Sequence, residues 1–252
     1  MKNFIDGFKL AFSFLTVIPF KAEYNNKTIR YSLYFYPLAG LLTGLILYFC
    51  AIAGLKYFLK YAQFTAAVLL LTEYLISNFF HIDGFCDTVD ALYFTKPGKD
   101  KLAILRDPHI GAYAVVWLII LMLFKYCAFY MTIRSGNILI LWLFPVIGYL
   151  FVPFHTFFSK PLFEQGLGRS IKENTDISHC IANTLITFGI VYFIMRDINY
   201  LIYVIICSLV FIIMLHKMIA NKFGGFNGDT VGFGIESLKL LVFTACIIKL
   251  IF

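Results

Sequence analysis

The chain has 252 residues, of which 61% are hydrophobic and 14% are charged, and its mean hydropathy is +0.84. Soluble domains rarely combine so many hydrophobic residues with so few charged ones. The net charge is +7, but the basic residues form no motif known to bind nucleic acid, which argues against nucleic acid as a partner. The sequence therefore predicts an all-α, polytopic helical bundle in contact with membrane lipid, with residues 1–252 forming a single membrane-embedded domain.

The long apolar runs predict about seven transmembrane helices, because each run has about 20 residues and that length crosses a bilayer. Ahead of the first run, Phe4, Phe8, Phe12 and Leu15 recur at helical spacing, which is typical of an amphipathic helix lying at the membrane interface. The spans are predicted at 36–54, 62–80, 111–132, 137–158, 180–195, 198–216 and 235–252.

The distribution of lysine and arginine predicts the orientation of these spans, because cytoplasmic segments carry the excess of basic residues. With the N-terminus inside, fourteen basic residues fall in inside segments and four in outside segments. Three loops rich in glycine and acidic residues, at 81–110, 159–179 and 217–234, then lie on the cytoplasmic side. We therefore predict a multi-pass protein of the cytoplasmic (inner) membrane with its active site on the cytoplasmic side.

The segment HIDGFCDTVD at 81–90 carries the strongest functional signal. Asp83, Asp87 and Asp90 stand at i, i+4 and i+7, so they share one face of a helix. Carboxylates gathered at the edge of an apolar span are unfavourable without a positive partner, and Mg²⁺ shared with a phosphorylated substrate is the simplest one. The alternative is a solvated helix face. The pattern predicts a metal-dependent phosphoryl-group transferase, with His81 as a candidate base.

The next polar segment, residues 101–113, contains a candidate phosphate ligand. Arg106 is able to bind phosphate or an aspartate through two parallel hydrogen bonds. Asp107 followed by Pro108 predicts a helix that starts near His109, with Asp107 as its N-cap. The alternative is that Arg106 reaches the membrane interface and Asp107 does no more than cap the helix.

A short glycine pattern follows later in the chain. Gly166 and Gly168 stand beside Arg169, and backbone N–H groups in such a loop are able to surround a phosphate. The pattern is short, so an ordinary loop is the default alternative.

The segment GGFNGDTVGFGIE at 224–236 combines acidic residues with five glycines. Asp229 and Glu236 are seven residues apart and share a helix face, which predicts two further metal ligands. The glycines indicate close approach of the backbone, and we expect Gly228 and Thr230 to contact substrate. A flexible hinge between spans is the alternative.

Glu73 stands midway along the second predicted span. An ionisable residue at that depth is a functional candidate by default. A protonated Glu73 that is hydrogen-bonded to a neighbouring helix is the equal alternative.

Taken in order, these segments resemble the cobalamin synthase family, the adenosylcobinamide-GDP ribazoletransferases, over nearly the whole chain. That family carries a His-x-Asp-Gly-x-x-Asp-x-x-Asp motif, an Arg-Asp-x-x-x-Gly segment, a Gly-Leu-Gly loop and a late Gly-Asp-Thr motif followed by Glu. The matching segments are FLTVIP at 14–19, YFYPLAGLLTG at 34–44, HIDGFCDTVD at 81–90, RDPHIG at 106–111, GLG at 166–168 and GGFNGDTVGFGIE at 224–236.

The resemblance implies that the enzyme joins adenosylcobinamide-GDP to α-ribazole or α-ribazole 5′-phosphate, giving adenosylcobalamin or its 5′-phosphate and GMP, with Mg²⁺ as the metal. Arg106 would contact the diphosphate, and Asp87 or His81 would assist deprotonation of the attacking hydroxyl. The expected metal ligands are Asp83, Asp87, Asp90, Asp229 and Glu236.

Two other functions fit parts of the sequence. A CDP-alcohol phosphotransferase uses a similar Asp-Gly-rich membrane motif, but this chain lacks the Ala-Arg that follows Asp-Gly in those enzymes. A cation-coupled transporter would use Glu73 and the aspartates as an ion path, although the aspartates gather at one end of the spans. A homo-oligomer is compatible with either function.

Overall fold

Helices account for the fold because an apolar chain in lipid satisfies its backbone hydrogen bonds within each segment. The computed structural model describes residues 1–58, 61–93, 101–107 and 109–251, and within these ranges it contains no β-strand. The helices in the described ranges are α1 (Lys2–Leu15), α2 (Asn26–Ser32), α3 (Tyr36–Phe58), α4 (Ala62–Ile76), α5 (Phe80–Tyr93), α6 (Lys101–Ile104), α7 (Ala112–Ser135), α8 (Ile140–Tyr149), α9 (Phe151–Phe158), α10 (Leu167–Asn174), α11 (Ile177–Met195), α12 (Ile198–Phe223) and α13 (Gly228–Ile251).

The prediction of a polytopic bundle with about seven spans is confirmed. Six helical stretches of the described residues are long and apolar enough to cross a membrane, and the bent pair α4–α5 makes a seventh if it counts as one span. The six stretches are Asn26–Tyr57, Ala112–Ser135, Ile140–Phe158, Ile177–Met195, Ile198–Phe223 and Gly228–Lys249. The chain is therefore a multi-pass membrane protein.

The spans divide into an inner and an outer set. Within the most apolar part of each span, 83% of the α8–α9 residues are buried but only 28% of the α7 and α12 residues. The outer set presents large apolar side chains such as Phe124, Phe193 and Met214, which would be unfavourable in water and are suited to lipid. Helix α13 belongs to the inner set and packs against α5, α7, α8, α9 and α12.

The predicted second span, 62–80, is wrong because these residues do not form one continuous helix. Helix α4 ends at Ile76, and α5 leaves it at an angle of 91°. Asn78 and Phe79 adopt left-handed backbone angles, with φ of 49° and 58°, and two such residues in succession interrupt a right-handed helix. The acidic segment therefore continues as a helix in a new direction and lies across the start of α13.

The last predicted span, 235–252, starts too late, and most of the predicted loop 217–234 is helical. Helix α12 continues to Phe223, and α13 begins at Gly228. The early start follows from a reciprocal cap at 3.0 Å, in which the Thr230 N–H donates to the Asn227 side chain and the Asn227 N–H donates to the Thr230 hydroxyl. The sequence analysis missed this Asn-x-x-Thr cap.

The predicted N-terminal helix is confirmed as α1. Phe12 and Leu15 are buried in a cluster with residues of α3, α8, α9 and α13, while Phe4 and Phe8 lie on the exposed side. The position of this helix at the membrane interface stays a prediction.

Four charged side chains form a closed network in the middle of the bundle, and all four are fully buried. Lys125 of α7 donates to Glu73 of α4 at 2.9 Å and to Glu236 of α13 at 2.5 Å. Lys239 lies 3.0 Å from Glu236 and 3.3 Å from Glu73. Two positive and two negative charges cancel, which is how buried charges are tolerated away from water. We call these residues the charge quartet.

Candidate active site

The acidic segment of α5 and the start of α13 are in direct contact. A Cβ atom on Gly84 would lie 2.7 Å from the Asp229 Cα, and a Cβ atom on Gly232 would lie 2.9 Å from the His81 carbonyl oxygen. Only glycine permits this approach, because real Cβ atoms do not come so close to backbone. The two glycines thereby bring Asp83 and Asp229 to the wall of one cavity.

Three aspartates gather at this contact. Asp229 and Asp83 lie close enough to Asp87 for like-charge repulsion, and Asp83 is exposed while Asp87 and Asp229 are half-buried. No lysine or arginine in the described part of the chain forms an ion pair with any of the three. We call Asp83, Asp87 and Asp229 the aspartate cluster. Its concentrated negative charge favours an external cation.

Asn227 is a site residue that the sequence analysis missed. Its side-chain N–H donates to the Asp229 carboxylate at 2.6 Å, and its own backbone N–H is held by Thr230. Thr230 is fully buried, and its backbone N–H donates to the Asn227 side chain in this cap. Its expected contact with substrate stays a prediction. Asn227 thus orients Asp229. The Asn-x-x-Thr spacing is the sequence pattern that indicates its place at the start of a helix.

Asp90 has a different environment from the other aspartates of its motif. Its two carboxylate oxygens accept hydrogen bonds from the Gly111 N–H at 2.6 Å and from the Ala114 N–H at 2.8 Å. It therefore caps α7 from a distance and ties the end of α5 to that helix. The prediction that Asp107 caps a helix starting near His109 is wrong, because α7 begins at Ala112.

Asp107 is exposed and bonds to its neighbour instead. Its carboxylate accepts the His109 N–H at 3.0 Å and lies 2.7 Å from the His109 Nδ1. Pro108, the predicted first helical residue, lies outside the described residues. The expected substrate contact of Asp107 stays a prediction.

His81 and Glu236 link the site to the charge quartet. The His81 ring is buried, its Nδ1 has no hydrogen-bond partner among the described residues, and that atom lies 3.9 Å from a Glu236 oxygen. Both Glu236 oxygens are already held by lysines, which leaves the carboxylate poorly placed for a metal ion. The roles of His81 as a base and of Glu236 as a ligand stay predictions, and the structure gives Glu236 other partners.

A cavity of about 430 Å³ opens beside the aspartate cluster. Its wall is mostly apolar and is formed largely by α1, α3, α9, α10 and α13. The polar lining residues are Ser13, His81, Asp83, Thr156, Asn227 and Asp229. The apolar and aromatic lining residues are Phe14, Leu15, Tyr36, Phe80, Val152, Leu167, Ile171, Phe226, Val231 and Ile235.

The Gly-Leu-Gly loop lies beside the same cavity. A backbone bridge between Pro161 and Phe226 joins the chain before this loop to the chain before α13. Gly225 permits the bridge, because a Cβ atom there would lie 2.5 Å from the Lys160 carbonyl oxygen. Gly168 and Gly228 both line the cavity and also the neighbouring space, so the two glycine motifs meet at one place.

Helix α10, which follows this loop, is fixed by Lys172. The Lys172 amine donates to the Thr156 carbonyl at 3.0 Å and to the Phe157 carbonyl at 2.5 Å, both in the last turn of α9. A cation at that position complements the negative end of the helix, and burial lowers the pKa of Lys172. The loop is thus attached to the bundle at both ends.

A polar groove extends from the cavity. An adjoining space of about 220 Å³ shares lining residues with the cavity, and a further space of about 390 Å³ shares lining residues with the smaller space. Gly166 and Arg169 line the smaller space, and Lys160 and Arg169 line the larger one. The Arg106 guanidinium lies 3.9 Å from the centre of the Phe163 ring, which lines the same groove. Arg169 pairs with Glu173 at 2.7 Å and donates to the Glu164 carbonyl at 3.0 Å.

The aspartate cluster fits Mg²⁺ only in part. Among the described residues, no three His, Cys, Asp or Glu side chains stand close enough to hold a metal ion by themselves. Mg²⁺ normally uses one or two carboxylates together with substrate phosphates and water, so a complete protein cage is not required. The oxygen-only character of the cluster and the absence of an ion-paired cation among the described residues fit that mode of binding.

Comparison with known proteins identifies the family. The family model for CobS, cobalamin-5-phosphate synthase, matches residues 7–247. An adenosylcobinamide-GDP ribazoletransferase of Clostridioides difficile (strain 630) is 30% identical over 100% of this chain and 99% of its own length. Enzymes of the same name from Clostridium perfringens (strain SM101) and Thermodesulfovibrio yellowstonii are 28% and 30% identical, covering 98% and 96% of this chain and 98% and 95% of their own lengths.

No solved structure matches the chain. The match to the family model extends over nearly all of its residues and includes the aspartate cluster, the Gly-Leu-Gly loop and the Gly-Asp-Thr segment. The chain belongs to the cobalamin-5-phosphate synthase family.

Proposed function

We propose that the protein is a Mg²⁺-dependent adenosylcobinamide-GDP ribazoletransferase. The substrates are adenosylcobinamide-GDP and α-ribazole or its 5′-phosphate, and the products are adenosylcobalamin or its 5′-phosphate and GMP. The single observation that carries the proposal is the meeting of two distant acidic segments, α5 and the start of α13, beside a cavity of about 430 Å³. Family membership and the names of the relatives support the same activity.

The reaction is a substitution at phosphorus. A ribose hydroxyl of the acceptor forms a new O–P bond to the phosphorus that carries cobinamide, the bridging P–O bond of the diphosphate breaks, and GMP leaves. The hydroxyl loses a proton in this step. Asp87 and His81 are the candidate bases, because one belongs to the aspartate cluster and the other lines the cavity.

Asp83 and Asp229, the two carboxylates of the aspartate cluster that line the cavity, would hold the metal together with the diphosphate, with Asp87 beside them. When bound, Mg²⁺ would offset the negative charge on the phosphoryl oxygens. Asn227 orients Asp229 for this contact. The proposal omits Asp90 and Glu236, because their carboxylate oxygens already accept hydrogen bonds from α7 and from the buried lysines.

Arg106, Arg169 and the backbone at Gly166 and Gly168 would bind the guanosine diphosphate. Arg169, Gly166 and Gly168 line the polar groove, and Arg106 lies on the ring of Phe163, which also lines it. Phosphate is recognised by guanidinium groups and backbone N–H groups. We place this face at the cytoplasmic side of the cytoplasmic membrane, as the excess of basic residues predicts.

The test is an assay of the purified protein in detergent with adenosylcobinamide-GDP and α-ribazole, with and without Mg²⁺. We expect GMP to be released only when both substrates and Mg²⁺ are present. A lack of GMP release from a folded protein under all these conditions would refute the proposal. Ion uptake by proteoliposomes without GMP release would instead favour a transporter, although the closed charge quartet leaves Glu73 paired rather than open to an ion.

A further inference from the structure

The cavity beside the aspartate cluster and the polar groove differ in chemistry, and this difference separates the two substrates. We infer that the cavity binds the flat heteroaromatic base of the riboside acceptor, and that the groove binds the guanosine diphosphate of the donor. The inference rests on the proposed function and assigns subsites within that same site.

The first argument is the apolar character of the cavity wall. Most lining side chains are apolar, and the hydroxyls of Ser13 and Thr156 already bond to backbone carbonyls. The other polar lining groups, such as Asp83 and Asp229, belong to the contact between α5 and the start of α13. Guanine carries several hydrogen-bond donors and acceptors, and burying them without partners is unfavourable. A benzimidazole base has few such groups, so it loses little when apolar side chains surround it.

The second argument is size. A cavity of about 430 Å³ lies within the usual range of ~300–1,000 Å³ for small-molecule sites. A riboside fits such a volume. A corrinoid macrocycle with its adenosyl and nucleotide groups does not, and it must lie outside the cavity.

The third argument is the wall that the cavity shares with the groove. If the base lies among Ile171, Val231 and Ile235, the ribose has Asp83 and Asp229 available on the wall of the same cavity. The attacking hydroxyl then meets the diphosphate where the cavity joins the groove, at Gly168 and Gly228. The two subsites therefore present their reacting groups to each other across the aspartate cluster.

The fourth argument is the positive charge of the groove. Lys160 and Arg169 line it beside one carboxylate, Glu164, and Arg106 stacks on the adjacent Phe163. In contrast, no lysine or arginine among the described residues lines the apolar cavity. Of these two described spaces, only the groove therefore offers cationic partners to the negatively charged donor.

The experiment measures KM separately for each substrate. Ile171→Phe adds volume inside the cavity from a half-buried position on α10, so the bundle does not have to repack around it. We expect the KM for α-ribazole to rise about tenfold and the KM for adenosylcobinamide-GDP to change less than about twofold. The reciprocal variant Arg169→Gln should raise the KM for adenosylcobinamide-GDP about tenfold and leave that for α-ribazole unchanged.

The matched control is Ile177→Phe, which makes the same change at an exposed position of α11 that lines neither space. It should behave like the wild type. A second cavity variant, Phe14→Trp, changes a half-buried position of α1 that lines the cavity and not the groove, and it keeps the test valid if Ile171→Phe fails to fold. The inference is overturned if the cavity variants change the KM for adenosylcobinamide-GDP instead, or if they change neither KM.

A binding measurement separates this inference from the proposed function. Equilibrium dialysis of the full-length protein with α-ribazole alone requires no turnover. We expect saturable binding to the wild type and to Ile177→Phe, and about tenfold weaker binding to Ile171→Phe. If the wild type binds α-ribazole in this way but releases no GMP, the proposed reaction fails while the subsite stands. Equal binding to all three proteins, or binding to none of them, overturns the subsite.

Discussion

The aspartate cluster and the charge quartet differ in how the negative charge of their acidic side chains is balanced. Both bring acidic residues together within a mostly apolar bundle. In the quartet, Glu73 and Glu236 are paired with two lysines at 2.5–3.3 Å and all four side chains are fully buried. In the cluster, the described residues supply no ion-paired lysine or arginine, and Asp83 and Asp229 border a cavity.

This difference teaches that position within a motif does not decide the role of an acidic residue. Asp229 and Glu236 belong to the same segment and the same helix, and they stand seven residues apart. Asp229 borders the cavity, while Glu236 holds α13 to α7 through Lys125. The partner that each carboxylate meets decides whether it stays available to an external cation or forms a structural ion pair.

The largest expected effect is on turnover, at the aspartate cluster. Asp83→Asn keeps the size of the side chain but removes its charge, so we expect GMP release to fall about a thousandfold or more. Membrane insertion and thermal stability should stay close to wild type, because Asp83 is exposed and has no ion-pair partner among the described residues. Full activity of Asp83→Asn and of Asp87→Asn would refute the metal site.

The charge quartet should show the reverse pattern. Lys125→Met leaves two buried carboxylates with one lysine, and we expect the free energy of unfolding to fall by about 3–5 kcal/mol. Unfolding in a detergent titration measures it, with the exposed Lys222→Met as the matched control. Adding Glu73→Gln to Lys125→Met restores neutrality and should recover part of the loss; no recovery would contradict a network balanced by charge.

Asn227 provides an intermediate effect, because it acts on the cluster through Asp229. Asn227→Ala removes the hydrogen bond to that carboxylate, and we expect the Mg²⁺ concentration for half-maximal activity to rise about 10- to 100-fold. Thr230→Val is the control, since it removes a bond of the helix cap and leaves Asn227 beside Asp229. An equal shift in both variants would mean that the cap alone matters.

The smallest expected effect concerns Asp90. Gly111→Ala would place a Cβ atom 2.5 Å from an Asp90 oxygen and disturb the cap of α7. We expect Gly111→Ala and Asp90→Asn each to lower the free energy of unfolding by about 1 kcal/mol, with the Mg²⁺ requirement unchanged, because the cap of α7 is weakened. A rise in the Mg²⁺ concentration for half-maximal activity as large as that expected for Asn227→Ala would restore Asp90 to the set of metal ligands.

Periodicity and motif order predicted much of this arrangement. The apolar runs predicted the spans, and the acidic and glycine-rich segments predicted which parts of the chain carry the site. The glycines of 224–236 indicated close backbone approach, and Gly232 and Gly225 do permit such contacts. Helical spacing also placed Asp83 and Asp87 on one face of α5, as the structure has them.

The remaining features depend on contacts between distant residues, which local patterns do not contain. The 91° bend requires left-handed Asn78 and Phe79, and neither residue type demands that conformation. In the sequence, Lys125 and Lys239 are isolated basic residues within predicted spans. Their acidic partners become evident only once α4, α7 and α13 pack together. Asp90 caps α7 by accepting hydrogen bonds from residues that lie 21 and 24 positions later in the chain, and no local helix-start pattern extends over that distance.

The central claim is that the aspartate cluster holds the cation and that the charge quartet does not. Binding of Mn²⁺ in place of Mg²⁺, followed by electron paramagnetic resonance with GDP present, tests it on the full-length protein. We predict that wild type and Glu236→Gln both bind Mn²⁺, and that Asp83→Asn and Asp229→Asn lose it. Loss of Mn²⁺ from folded Glu236→Gln, together with retention by Asp83→Asn and Asp229→Asn, would contradict the account.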